Sequence, residues 1–178
     1  MQYDLIYADP PWRYSFSKSA SRKIENQYET MGIEDIEALE IPAAKDCVLY
    51  LWATMPKLPE AMRVVSAWGF EYVTGACWDK EIIGMGYWFR GQHELLLVAK
   101  RGSPSPPLQS VRRSSVFRAR RGRHSAKPEC VAEYLESAHP DVARLEMFAR
   151  RARPGWDVWG DQAPDVVNSD TQRTEPKT

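Results

Sequence analysis

Short apolar runs recur along the chain and predict strands, because each is too short for a helix and is followed by polar or turn-forming residues. The first, residues 3–8, ends at a pair of prolines. The run CVLYLWAT at 47–54 is the most strand-like in the chain. Further strands are predicted in EYVTGACWDK (71–80), HELLLVAK (93–100), ARLEMFA (143–149) and GWDVWGDQ (155–162).

Amphipathic segments between these runs predict helices. LPEAMRVVSAWGF has Pro59 and Glu60 in its first turn, and Gly69 ends it. KPECVAEYLESAHP is expected to begin with Pro128 as its first helical residue and to end before Pro140. MGIEDIEALEIP predicts a shorter helix. Strands alternating with helices indicate an α/β sheet covered on both faces, in which ligands bind beyond the carboxyl ends of strands.

Polar segments divide the rest of the chain. Residues 13–30 predict a long loop that serves as a lid or substrate loop. Residues 101–126 are rich in Ser, Pro and Arg and are expected to be irregular. Residues 1–162 are expected to form one domain, and the polar residues 163–178 a disordered tail.

The formal net charge is zero, but the charges are unevenly distributed. No Asp or Glu occurs from Leu95 to Pro128, where nine Lys and Arg residues lie. Five of them are candidates for contacts with a nucleic-acid backbone, the alternative being a solvated loop: Arg112, Arg113, Arg118, Arg120 and Arg121.

The sequence favours neither a metal site nor a secreted or membrane-spanning protein. The three Cys and three His residues have no metal-ligand spacing, so we predict no metal site. The sequence has neither the pattern of a signal peptide nor an apolar run long enough to span a membrane. We therefore expect a cytoplasmic protein.

The stretch Asp9-Pro10-Pro11-Trp12 follows the first predicted strand. Prolines stiffen the backbone, so the Asp9 carboxylate and the Pro10 carbonyl can be two fixed acceptors. Two acceptors suit an amine with two N–H donors, and the Trp12 ring offers a flat face for a nucleobase. The alternative is a plain turn with Trp12 in the core. The local sequence leaves both open.

Seven segments in order extend this motif: DPPW (9–12), YETM (28–31), LYLWAT (49–54), GYWFRGQHELLLVAKRG (86–102), HSAKPE (124–129), LEMFAR (145–150) and GWDVWGDQ (155–162). Together they resemble the adenine methyltransferases that include the catalytic subunit of the eukaryotic mRNA enzyme and its bacterial and phage relatives. The resemblance covers nearly all of the chain up to Gln162. It implies a Rossmann-like fold in permuted order, with the catalytic strand first, and S-adenosylmethionine as cofactor.

The resemblance also implies roles for individual residues. In the catalytic motif Asp9, Pro10, Pro11 and Trp12, Asp9 and the Pro10 carbonyl hold the target amine, and Trp12 borders or stacks on the base. Asp9 and Pro10 also border the cofactor. The other cofactor-binding residues expected from it are Lys127, Phe148, Arg150, Arg153, Asp161 and Gln162. Two of these depart from relatives: Asp161 stands where Asn is frequent, and Ala152-Arg153 replaces the His-Asn pair of the mRNA enzyme. For an acidic cofactor contact that relatives carry upstream of the motif, we expect no counterpart in this sequence.

Substrate contacts are expected from Tyr28 in the loop 13–30, and from Trp88 and Arg90 in the Gly-flanked segment 84–91. Of His93 and Glu94, only one can face the site, and the resemblance favours His93. The substrate remains open among DNA, which we favour, and RNA. A catalytically inactive nucleic-acid-binding partner of an active paralogue is a third possibility. The sequence does not distinguish a single chain from a homodimer.

Overall fold

The computed structural model describes residues 1–14, 30–122 and 126–160. They form seven strands: β1 (Tyr3–Ala8), β2 (Ala43–Ala53), β3 (Glu71–Asp79), β4 (His93–Arg101), β5 (Val116–Arg118), β6 (Arg144–Met147) and β7 (Asp157–Trp159). Three α-helices accompany them: α1 (Ile33–Glu37), α2 (Leu58–Ala67) and α3 (Glu129–Ala138). The predicted α/β class is confirmed.

All seven strands belong to one sheet in the order β5-β3-β4-β2-β1-β6-β7. Only β4 runs antiparallel to its neighbours β2 and β3, while the other pairs are parallel. Six strands therefore end, and β4 begins, at one edge of the sheet, which we call the carboxyl edge. In sheets of this kind ligands bind at that edge.

The core lies on both faces of the sheet because side chains alternate along each strand. Ile6 and Ala8 of β1 pack with residues of α1 and α2, whereas Leu5 and Tyr7 pack with α3. The first strand in the chain is thus central and buried on both sides. Asp9, which follows it, emerges at the middle of the carboxyl edge.

Several boundaries differ from the prediction. The segment 101–126 is not wholly irregular, because Val116–Arg118 pairs with β3 and Gln109–Val111 forms a 3₁₀ turn. Strand β6 ends at Met147, since Phe148 adopts φ +62°, which a continuing strand cannot accommodate. Pro128 precedes α3 as its cap, with an extended backbone at ψ 130°, and is not its first helical residue. Most of the loop 13–30 and the whole tail 163–178 lie outside the described residues.

Candidate active site

The turn that follows β1 is fixed by hydrogen bonds as well as by its proline rings. The Trp12 N–H donates to the Pro10 carbonyl at 2.8 Å and closes a three-residue turn around Pro11. The Met31 N–H donates to the Pro11 carbonyl at 2.9 Å. Because a carbonyl has two acceptor lone pairs, the Pro10 oxygen can accept one further hydrogen bond. Asp9 and the Pro10 carbonyl therefore stand on one stiff stretch of backbone.

Trp12 lies in the core. The residue is 5% exposed, and its Nε1–H donates to the Trp52 carbonyl at 3.1 Å. The expectation that its ring stacks on a nucleobase does not hold, because both faces of a ring so deeply buried are covered by protein. Trp12 instead anchors the turn to β2.

Four charged side chains form a chain of ion pairs at the carboxyl edge. The Lys127 Nζ lies 2.7 Å from Asp9 Oδ2 and 3.3 Å from Glu94 Oε2. The Lys80 Nζ lies 3.2 Å from Glu94 Oε1. The ends of β1 and β3, the start of β4 and the segment before α3 each contribute one of these residues. The structure thus brings together Asp9 and Lys127, which are 118 positions apart in the sequence.

Burial shifts the pKa values of the first pair. It raises the pKa of the Asp9 carboxyl, and the Lys127 ammonium opposes that rise. Burial also disfavours the charged form of Lys127, but the carboxylates of Asp9 and Glu94 outweigh it and raise the Lys127 pKa above its ordinary value. Lys127 is therefore protonated at neutral pH. Its charge keeps Asp9 ionised at a lower pH than burial alone would allow.

Glu94 faces this network, and His93 does not. Neighbouring residues of a strand point to opposite faces, and Glu94 is opposite Trp78 on the α3 side while His93 is opposite Asp79. The preference for His93 is therefore corrected. The strand pattern establishes that only one of the two residues faces the site. It does not say which, because that depends on the face on which Asp9 lies.

Glu146 is a second carboxylate that the sequence reasoning passed over. It lies on β6 opposite Tyr7, on the same face of the sheet as Asp9. The Arg153 Nε is 3.5 Å from Glu146 Oε2, but the Nη atoms of Arg153 pair with Glu129. Burial, and then repulsion from Asp9, raises the pKa of Glu146 to about 7. An acidic residue within the apolar run LEMF was the signal available in the sequence.

Phe148 and Arg150, which the resemblance assigns to the cofactor side, follow β6 at the carboxyl edge. The positive φ of Phe148 is held by its N–H, which donates to the Trp159 carbonyl at 2.5 Å. Its ring meets the Trp159 ring edge-on at 5.2 Å between centroids. The Arg150 charge lowers the pKa of Asp9, so it acts on the same site. Backbone strain of this kind concentrates at functional positions.

The residues expected to contact substrate lie further out. Trp88 and Arg90 are exposed in the loop 81–92 between β3 and β4. Arg112 and Arg113 lie before β5, and the Arg113 guanidinium stacks over the ring of Tyr134 on α3, 5.3 Å from its centroid. Three exposed arginines lie at or beyond the carboxyl end of β5: Arg118, Arg120 and Arg121. The structure therefore divides the predicted basic segment between two places.

Three predicted residues, Tyr28, Asp161 and Gln162, lie outside the described residues. Within the described ranges, no group of three or more His, Cys, Asp or Glu side chains is arranged to hold a metal ion. The same part of the chain contains no helix long and apolar enough to cross a membrane.

The chain is similar in sequence to methyltransferases from a bacterium, a fungus and human. The chain is 34% identical to the type II methyltransferase M.MunI of a Mycoplasma species, over 92% of this chain and 79% of that protein. It is 31% identical to the N6-methyladenosine RNA methyltransferase MTA1 of Cryphonectria parasitica, over 90% of this chain and 51% of that protein. It is also 26% identical to the human N(6)-adenine-specific methyltransferase METTL4, over 90% of this chain and 37% of that protein.

A family profile matches almost the whole of the described structure. Residues 3–162 match the family described as MT-A70, a range that contains Asp9, Glu94, Lys127 and Glu146. Together with the M.MunI similarity, this match covers the sheet and every element that reaches the carboxyl edge. The chain belongs to the MT-A70 family of S-adenosylmethionine-dependent methyltransferases.

Proposed function

We propose that this chain transfers a methyl group from S-adenosylmethionine to the exocyclic 6-amino group of adenine in DNA, in the cytoplasm of a bacterium or of a phage-infected cell. The observation that carries the proposal is the partly buried Asp9 carboxylate. It is paired with Lys127 and adjoins the fixed carbonyl of Pro10. This arrangement offers two acceptors to one amine beside a permanent positive charge.

The residues at the carboxyl edge fit the cofactor. Its methionine end carries a carboxylate and an ammonium, and its ribose carries two hydroxyls. Lys127 can hold the carboxylate, and Glu146 can accept from the hydroxyls, since both lie on the α3 face near Asp9. Phe148 and Arg150 border the same end of β6. When bound, S-adenosylmethionine supplies a methyl group on a sulfonium that an amine nitrogen can take in one displacement.

Asp9 and Pro10 act on the amine. Lys127 occupies Asp9 Oδ2, so we assign Asp9 Oδ1 and the Pro10 carbonyl to the two N–H groups of the adenine. Two acceptors orient the nitrogen lone pair away from the ring and stabilise the positive charge that develops on it. The raised pKa of Asp9 also makes its carboxylate a better acceptor for the proton that the amine releases.

Lys127 and Glu94 hold this arrangement in place. The ammonium opposes the rise in the Asp9 pKa and so favours the carboxylate form. Glu94 holds Lys127 from its other side when a second anion enters the site. Lys80 balances the charge of Glu94 at 3.2 Å. The catalytic contribution of these residues is positioning and electrostatics.

For DNA we rely on the similarity to M.MunI. This chain spans 79% of that type II methyltransferase, but only 51% of the RNA methyltransferase MTA1 of C. parasitica. RNA is the second candidate, because the identity to MTA1, 31%, is nearly as high. An inactive nucleic-acid-binding partner is disfavoured by the intact Asp9–Lys127 pair.

A methyl-transfer assay tests the proposal. The chain is incubated with S-adenosylmethionine carrying a labelled methyl group and with amplified duplex DNA, the same DNA after heat denaturation, or transcribed RNA. Digestion and mass spectrometry then identify the modified base. We expect N6-methyladenine in DNA. Label found only in RNA would identify RNA as the substrate in place of DNA. No label in any nucleic acid, together with no binding of S-adenosylmethionine by calorimetry, would favour the inactive partner.

A further inference from the structure

Three aromatic side chains at the tip of the loop 81–92 are almost fully exposed. The exposed fractions of Tyr87, Trp88 and Phe89 are 103%, 96% and 92%, and Met85 in the same loop is 86% exposed. We call Tyr87, Trp88 and Phe89 the aromatic tip. Single exposed apolar side chains need no explanation, but contiguous ones mark a site of interaction.

The base of the loop is cross-linked. The Gly84 N–H donates to the Gly91 carbonyl at 2.8 Å, and the Gly91 N–H donates to the Met85 carbonyl at 3.1 Å. Arg90 adds a side-chain bond from its Nε to the Gly84 carbonyl at 3.0 Å. A Cβ atom at Gly86 would collide with the Phe89 carbonyl, so the turn closes only with glycine there. The aromatic tip is therefore carried on a closed turn.

The loop starts and ends in the charge network of the site. Lys80 precedes it and Glu94 follows it by two residues, and these two side chains are joined at 3.2 Å. Glu94 also contacts Lys127, which holds Asp9. The aromatic tip thus projects from the same edge at which the target amine is to be held.

Cations lie beside the loop. The Ala119 N–H donates to the Asp79 carbonyl at 3.2 Å and the Arg121 N–H to the Lys80 carbonyl at 3.4 Å. This places the exposed Arg120 and Arg121 next to the loop's first residues. Apolar rings next to arginines complement a ligand with stacked flat rings inside and phosphates outside, which is the chemistry of a nucleic-acid duplex.

We propose that the aromatic tip inserts into duplex DNA at the target adenine and stacks in the gap that the base leaves when it turns into the site. This inference rests on the proposed function and deepens it, since an amine inside a duplex cannot otherwise reach Asp9. Arg120 and Arg121 hold the flanking phosphates.

The first test compares substrates that do and do not need a base to be extruded. The variant carries Tyr87→Ala, Trp88→Ala and Phe89→Ala together, and Tyr72→Ala, an exposed tyrosine near the start of β3, is the matched control. On amplified duplex DNA we expect at least a tenfold loss of methyl transfer for the triple variant and none for the control. On denatured strands of the same DNA, which need no base to be extruded, we expect the loss for the triple variant to be several-fold smaller than on the duplex.

The second test reads insertion directly and does not depend on turnover. Acrylamide quenching of tryptophan fluorescence is measured with S-adenosylhomocysteine, with and without duplex DNA, for the wild type and for Trp88→Phe. We expect DNA to shield a tryptophan that is accessible in the free wild type, and this change to be missing in Trp88→Phe. If the wild type methylates duplex DNA but not denatured strands, the first test has no second substrate. In that case the quenching measurement decides whether the aromatic tip inserts.

The outcomes separate this inference from the proposed function. If the wild type methylates no nucleic acid, the proposed function fails. If the wild type methylates duplex DNA and the triple variant does so equally well, only the insertion fails. An equal loss on both substrates, with dissociation of a dimer in light scattering, would instead assign the aromatic tip to an interface with a second copy. Unchanged shielding in Trp88→Phe also overturns insertion.

Discussion

Asp9, Lys127 and Glu94 form ion pairs largely removed from water, whereas Tyr87, Trp88 and Phe89 stand almost fully in water at the same edge of the sheet. The first group meets every rule for buried charge, since each member has a partner. The second group breaks the rule that large apolar side chains are covered. The inner group is complete within the chain, while the outer group is the one that we propose a ligand covers. Substitutions in the ion-paired group should therefore change the rate of methyl transfer and the pKa values. Substitutions in the exposed group should change the binding of nucleic acid.

The largest expected effect is at Asp9. Asp9→Ala removes one of the two acceptors and should lower the rate of methyl transfer about 100- to 1000-fold, as loss of a preorganised electrostatic contact does. Circular dichroism should show an unchanged fold, because Lys127 keeps Glu94 as a partner. The exposed Asp35 on α1 gives a control, Asp35→Ala. Full activity of Asp9→Ala would show that Asp9 does not hold the target amine.

Glu146 should make stability depend on pH. Its pKa is about 7 in the folded protein, above the ordinary 4.5, so the folded state binds this proton more tightly than the unfolded state does. The resulting stabilisation is complete below pH 4.5 and is lost as the pH rises through 7.

Glu146→Gln cannot ionise and should escape that loss. Its free energy of unfolding should exceed that of the wild type by at most about 3 kcal/mol at pH 8 and by nothing near pH 4. Urea titrations at several pH values measure this difference, with the exposed Glu133→Gln on α3 as control. A difference that is the same at pH 4 and pH 8 would contradict the assigned pKa.

Lys127 should set the lower pH limit of activity. In Lys127→Met the Asp9 carboxyl loses its ammonium partner, so its pKa rises further and a higher pH is needed to ionise it. We expect the acidic limb of the pH–rate profile to move to higher pH, with a roughly 10- to 100-fold loss at pH 7. The control is Lys100→Met, at the other end of β4. A uniform loss at every pH would mean that Lys127 does not act through Asp9.

Glu94 and His93 form a matched pair for testing which face of β4 contributes to the site. Glu94→Gln weakens both ion pairs of the carboxylate and should reduce methyl transfer about tenfold. His93→Gln, one position earlier and on the opposite face, should have less than a twofold effect. If His93→Gln lost more activity than Glu94→Gln, His93 would be the residue that faces the site, as the family resemblance implies.

The smallest effect is expected for the exposed arginines beside the aromatic tip. Arg120→Gln and Arg121→Gln together should weaken duplex binding about three- to tenfold in low salt, with a salt dependence lower by about two counterions. In high salt the variant and the wild type should converge. Fluorescence anisotropy with labelled duplex DNA measures this. An equal loss at every salt concentration would mean that these arginines do more than contact phosphates.

Much of the fold was predictable because hydrophobic runs of strand length are local signals. Strands β1 to β4 and helix α2 lie where apolar and turn residues indicate them. The three-residue strand β5 was missed, since its pairing with β3 joins residues about 39 positions apart and leaves no periodic pattern. The early end of β6 was missed because the positive φ of Phe148 depends on its bond to Trp159.

For the site, residue type determined which positions carry chemistry, and packing determined how they are used. The sequence by itself predicted the α/β class, which is confirmed, and singled out Asp9, Pro10 and Lys127 as candidates, because these depend on local patterns and ordered motifs. Only the tertiary structure buried Trp12, turned Glu94 and not His93 toward Asp9, and placed Glu146 within its field. Such choices depend on which face of the sheet each strand presents and on the water excluded between elements, and both arise only when distant segments pack together.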